Sequence, residues 1–242
     1  MNPLQIVVLD RDTLVNRPFD FDFPHTLSSY GTTEAHETLA RIRGADIVIT
    51  NKVVISAQAF AENPQLKLVA VTATGVNNVD VEAAKQNGTA VCNIRAYGNE
   101  SVAEHAFMMM ITLMRNLPAY QRDVAAGLWE NSPFFCHLGS PMRDLNGKTL
   151  AIFGRGNIGK TLAAYAQAFK MNVVFAEHKH AQSVRNGYVS FDEAIRSADV
   201  VSLNCPLTPQ TANMIGEAEL QQMKPGAILI NCGRGGLVDE AA

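Results

Sequence analysis

The chain has 242 residues, 47% hydrophobic and 18% charged, with a net charge of −3. That balance suits a folded protein of one large or two ordinary domains, and it offers no basic surface for nucleic acid or an anionic membrane. Four scattered cysteines (Cys92, Cys136, Cys205, Cys232) show no CxxC and no metal-ligand spacing. They read as reduced thiols of a cytoplasmic protein, not as a disulfide framework or a metal site.

Residues 5–9 are an apolar run ending at Asp10 and predict a first strand. No basic stretch, long apolar run and cleavage site occur in order, so this is not a signal peptide. Ala35, Leu39 and Ile42 have helical spacing and predict a helix over 33–43, stopped by Gly44. Strands follow at 45–50, 66–71 and 90–93, with helices at 56–62 and 79–87, the latter closed by Gly88. Residues 100–115 predict a helix apolar nearly all round, hence buried on most sides at a junction between domains or subunits. Its apolar stretch, 102–114, carries Glu104 and His105 and is too short and too polar to span a bilayer.

A polar helix after Pro118 leads into a loop over 127–147. A second series then alternates strands at 148–153, 172–176, 199–204 and 227–231 with helices at 158–169, 191–196 and 217–223. Strands alternating with short helices imply parallel sheets, so the fold class is α/β, in two domains with a boundary near 94–100.

Gly154-Arg-Gly-Asn-Ile-Gly159 follows a strand and opens a helix, the context that makes this pattern a dinucleotide-binding (Rossmann) loop. Gly154 serves the tight turn, Gly156 the close approach of backbone to a pyrophosphate, and Gly159 the packing of helix on sheet. The same stretch, read Gly154 to Thr161, also satisfies the P-loop pattern, with Lys160 for phosphates and Thr161 for magnesium. Against a P-loop NTPase, Asp199 precedes its strand and the strand at 227–231 runs into Asn231 and Cys232, so neither supplies the acid such a site needs for its metal. Glu177, at the end of the next strand, stands at the spacing expected for the acid that binds the adenosine ribose. A carboxylate there pairs with a 2′-hydroxyl and repels a 2′-phosphate, so NAD is the expected cofactor. His178 and Lys179 either contact a phosphate or lie on a solvated turn.

Several motifs, in order, resemble the D-2-hydroxyacid dehydrogenase family: ATGVNNVDVEAA (73–84), YGNESVAEHAF (97–107), the glycine loop, CPLTPQT (205–211) and INCGRGGLVDE (230–240). Within it, GLWENSPFFC (127–136) and AEHK (176–179) are most similar to glycerate dehydrogenases. The resemblance implies a flavodoxin-like substrate domain over 1–98 and a Rossmann NAD-binding domain over 99–242. It also implies a small 2-keto or 2-hydroxy acid substrate, hydroxypyruvate/D-glycerate before glyoxylate/glycolate, with no nucleic-acid or membrane partner. The apolar helix adds the expectation of a homodimer.

Residue by residue, the resemblance implies that backbone N–H groups of Thr74, Gly75 and Val76 hold the substrate carboxylate. Arg234 would bind carboxylate and carbonyl oxygen, a task its planar, permanently charged fork suits. Asn157 and Ile158 would meet the pyrophosphate. Cys205, Pro206 and Thr211 would line the cofactor cleft, and Cys232 and Gly233 would lie by the nicotinamide. Plainer readings stand beside these: Arg234 as a surface arginine, Cys232 and His105 as packing groups. Glu104 and His105 are adjacent on a helix and do not face each other.

The family's proton-donating histidine, and the glutamate that sets its charge, lie downstream of the arginine motif. The 242 residues are therefore expected to be a C-terminally truncated form, weakly active or inactive alone. Asp239 to Ala242 reads as a first helical turn, and the strand at 227–231 as an exposed sheet edge. Two other functions remain open at this point: a non-catalytic NAD-sensing interaction protein and the P-loop NTPase.

Overall fold

A computed structural model describes residues 2–14 and 18–242. It divides into two compact units, Met1–Tyr97 and Gly98–Ala242.

The first unit contains β1 (Leu4–Val8), β2 (His25–Ser29), α1 (Thr38–Ile42), β3 (Ile47–Thr50), α2 (Ala57–Ala61), β4 (Leu68–Val71), α3 (Val81–Asn87) and β5 (Ala90–Asn93). All neighbouring strands run parallel in the order β2-β1-β3-β4-β5, the flavodoxin-like order expected. Successive residues of a strand point to opposite faces. Val7 and Val48 accordingly pack on one side with Ile42, Phe60 and Ala84 of the helices. Ile6, Val8 and Ile49 pack on the other, under Phe19, Phe21 and Phe23. Local chemistry sets the ends of α3: the Asp80 carboxylate accepts from the Ala83 N–H, and Gly88 closes the helix in the left-handed region at φ 75°.

The strand β2 was not expected. Its HTLSS sequence is exposed except at half-buried His25, so it has no apolar alternation to reveal it and exists by pairing with β1. The helix expected over 33–43 is a short 3-10 turn followed by α1.

In the second unit, α4 (Asn99–Met114) and α5 (Leu117–Ala125) precede β6 (Thr149–Phe153), α6 (Asn157–Ala168), β7 (Asn172–Ala176), α7 (Phe191–Ser197), β8 (Val200–Leu203), α8 (Glu217–Gln222) and β9 (Ile228–Asn231). The parallel order is β7-β6-β8-β9, with β9 at an edge. The strand order reverses beside β6, so the crevice at the carboxyl ends of β6 and β8 is where a Rossmann sheet takes its ligand. Gly159, Leu162, Ala163 and Ala166 form the buried stripe of α6. They meet Ala103, Ala106, Met110 and Met114 of α4 on one face of the sheet. Phe191, Ala194 and Ile195 of α7 cover the other.

Within the single chain the α4 helix is buried along one stripe, with Met108 and Leu113 exposed. One expectation is corrected. Residues 239–242 are not helical: Val238 bridges to Ile215, the Asp239 N–H donates to the Ile215 carbonyl, and beyond them the chain bends, with the Asp239 side chain accepting the Ala241 N–H at 3.1 Å. Among the described residues, no helix is long and apolar enough to cross a membrane.

Candidate active site

The glycine loop leaves β6 at Gly154, whose φ of 109° is accessible to glycine and strained for any L side chain. A Cβ there would also lie 2.6 Å from the Asn204 carbonyl oxygen. At Gly159 a Cβ would lie 2.1 Å from the Gly154 carbonyl oxygen, so helix and strand touch through bare backbone. Gly156 differs: nothing lies within 4 Å of where its Cβ would be. Asn157 and Ile158 open α6 just beyond it, and the first N–H groups of a helix have no internal partners.

Gly154 and Gly156 line a cleft of about 560 Å³ at the carboxyl ends of β6 and β8, together with Glu177, Cys205, Pro206 and Thr211, while Asn157, Ile158 and Gly159 lie outside its wall. Lys160 and Thr161, the P-loop candidates, lie outside its wall. The Thr211 hydroxyl donates to the Pro206 carbonyl at 2.7 Å and accepts the Thr208 N–H at 2.8 Å, which pins the loop after β8. Asn204 leaves its buried Oδ1 without a partner in the cleft wall. An open backbone cradle, free helix N–H groups and an orphaned acceptor together fit a dinucleotide.

Glu177 also lines the cleft, but its carboxylate is engaged. Arg185 reaches it through Nε and Nη2, both at 2.7 Å, and the His178 and Arg185 backbone N–H groups donate at 2.8 and 3.1 Å. Hydrogen bonding by the Arg185 side chain, then by the backbone, pulls its pKa down to about 2, so it is ionised at neutral pH. Lys179 and His178 line the same cleft, Lys179 paired with Glu219 at 2.8 Å and His178 exposed.

The loop after β9 is built by Asn231, which sequence reasoning passed over. Its side-chain amide donates to the Arg234 carbonyl at 2.9 Å and its Oδ1 accepts the Gly233 N–H at 3.0 Å. Arg234 is thereby presented on the surface, its guanidinium touching the Gly233 carbonyl at 3.0 Å. No carboxylate among the described residues pairs with it. A Cβ at Gly233 would lie 3.3 Å from the Cys205 carbonyl oxygen, so the loops after β8 and β9 share an edge.

Cys232 faces a separate hollow of about 520 Å³ with Ser101, His105 and Met109. His105 is exposed on the wall of this hollow. Burial pushes the Cys205 and Cys232 thiols up, so neither is poised as a thiolate nucleophile. In the first unit, Thr74, Gly75 and Val76 follow β4. Asn93 donates to the Thr74 carbonyl at 2.7 Å, and Val76 packs on the core, which holds that loop in shape.

Residues 107–242 match the family model described as "D-isomer specific 2-hydroxyacid dehydrogenase, NAD binding domain". A glycerate dehydrogenase of Methylorubrum extorquens is 41% identical over 239 residues, 98% of this chain and 75% of that protein. Among solved structures, a glyoxylate reductase from Paecilomyes thermophila superposes with a TM-score of 0.78 at 27% identity, covering 100% of this chain and 77% of that one. A D-lactate dehydrogenase from Aquifex aeolicus, complexed with NAD and lactic acid, gives 0.76 at 28%, covering 97% and 70%. With its glycine loop, its cleft at the sheet's switch point and its family match in agreement, this chain belongs to the D-isomer-specific 2-hydroxyacid dehydrogenases and is an NAD-dependent enzyme.

Proposed function

We propose that the full-length protein interconverts hydroxypyruvate and D-glycerate, with glyoxylate as a second substrate, and that these 242 residues alone are weakly active or inactive. The observation that carries this is its likeness, over 98% of its length, to a glycerate dehydrogenase. The unpaired Arg234, held by the Asn231 clamp, supports a substrate with adjacent carboxylate and carbonyl groups.

NADH, when bound, supplies the hydride. Gly156 and the N–H groups of Asn157 and Ile158 hold its pyrophosphate against the start of α6. Cys205, Pro206 and Thr211 line its cleft, and Cys232 and Gly233 stand toward the reacting end. Arg234 grips carboxylate and carbonyl oxygens, and its charge stabilises the alkoxide that forms as hydride adds to the carbonyl carbon. Because a guanidinium does not deprotonate, the proton that turns the alkoxide into the hydroxyl must come from another group, which the family resemblance assigns to a histidine downstream of the arginine motif. The N–H groups of Thr74, Gly75 and Val76 orient the carboxylate.

The test is NADH oxidation with hydroxypyruvate, glyoxylate and pyruvate side by side. The largest kcat/KM is expected with hydroxypyruvate, and a larger value for either of the others would overturn the substrate assignment. The same proposal places the enzyme in the cytoplasm, in keeping with four free thiols, and makes it a homodimer. Phe135 is 98% exposed and Leu138 88% on the loop after α5, a cluster that association would cover. Equilibrium sedimentation is expected to give twice the chain mass.

A further inference from the structure

An isolated carboxylate at the end of β7 rejects a 2′-phosphate by charge. Glu177 is not isolated. Each of its oxygens already accepts two hydrogen bonds, filling the roughly four acceptor positions a carboxylate offers. Its side chain is only 3% exposed, whereas that of the paired Arg185 is 53% exposed. The group facing outward at this corner of the cleft is therefore the guanidinium.

A second guanidinium lines the same cleft and shares an aromatic ring with the first. Arg155, inside the glycine loop, lies 4.8 Å from the Phe175 ring centroid and 5.3 Å from that of Tyr188. Arg185 lies over the same Tyr188 ring at 4.2 Å. No carboxylate among the described residues pairs with Arg155. Arg155, Glu177, Arg185 and Tyr188 all line the one cleft. Both arginines keep N–H donors for an anion, in the planar arrangement that suits phosphate oxygens.

We propose that the Glu177–Arg185 pair, with Arg155, reads the 2′ position of the adenosine ribose and admits a 2′-phosphate as well as a 2′-hydroxyl, so that the enzyme uses NADPH beside NADH. This rests on the cleft being the cofactor site. Pairing cancels the repulsion that Glu177 alone would exert and withdraws its lone pairs from the ribose. The two arginines then supply the donors.

Dissociation constants for NADH and NADPH, measured in parallel by fluorescence titration, test this. In the unaltered chain the two are expected to agree within about tenfold. Arg185→Met leaves Glu177 charged and unpaired and is expected to weaken NADPH relative to NADH by about tenfold or more. Arg155→Met, which leaves the pair intact, should shift the ratio the same way by less. Glu177→Gln should shift it toward NADPH. Rising ionic strength should weaken NADPH more than NADH. Tight NADH binding without NADPH binding by the unaltered chain overturns the proposal and leaves the NAD site standing. Equal shifts for both cofactors in the two arginine variants also overturn it, since that is what loss of loop structure alone would produce. Binding of neither cofactor by the unaltered chain would bring down the reading of the cleft, and this proposal with it.

Discussion

Gly159→Ala is expected to destabilise the second unit and to abolish NADH binding together. The added Cβ would sit 2.1 Å from the Gly154 carbonyl oxygen and 3.1 Å from Ile152 Cγ2. The first of these is backbone, which no rotamer change relieves, so α6 must lift off β6. Overpacking of this kind costs about 3 kcal/mol. For a unit of this size that lowers Tm by roughly 6–12 °C, and the lift also moves the helix start that receives the pyrophosphate. Gly156→Ala is the control. Its Cβ would meet no protein atom, and its φ of −76° suits alanine, so the thermal transition should stay nearly in place. The methyl instead occupies the space the pyrophosphate needs. Losing one or two charge-assisted N–H contacts weakens NADH binding by roughly tenfold to a few hundredfold. Calorimetry with NADH titration separates the two cases. A Gly156→Ala chain that bound NADH normally would remove the loop from the cofactor site.

Arg234→Met is expected to lower kcat/KM for hydroxypyruvate by at least about a thousandfold while NADH titration continues to show binding. Removing a single donor to a developing oxyanion costs about a hundred- to a thousandfold, and Arg234 is assigned the substrate carboxylate as well. Arg234→Lys should recover only part of the loss, because an ammonium cannot span two oxygens as the planar fork does. Asn231→Ala, which removes the clamp on that loop without touching the guanidinium, should raise KM more than it lowers kcat. Near-normal turnover by Arg234→Met would return this residue to the surface-arginine reading.

Elements whose residue types dictate backbone geometry were legible in the sequence. β6, α6 and β7 stand within a residue of their expected bounds, because Gly154 and Gly159 admit few other conformations and the apolar stripe of α6 repeats at helical spacing. Elements that exist only through a partner were not. The exposed β2 is a strand because β1 is beside it. The α4 helix looks uniformly apolar in sequence, and which of its faces the rest of the chain buries (Ala103, Ala106, Met110 and Met114) is set by its packing on α6. Residues 239–242 carry acids suited to a helix start, but Val238 and the Asp239 N–H pair with Ile215 and the chain bends at Glu240.

The same division runs through the site. Sequence alone determined that a dinucleotide loop is present, where its three glycines fall and which acid ends the next strand, since each follows from local backbone constraints at fixed spacing. Tertiary structure decided that this acid is neutralised by Arg185, eight residues on, that Arg155 and Arg185 share the Tyr188 ring, and that Asn231 shapes the loop carrying Arg234. Those are side-chain meetings across irregular loops, where no periodicity foretells which groups come within hydrogen-bonding distance.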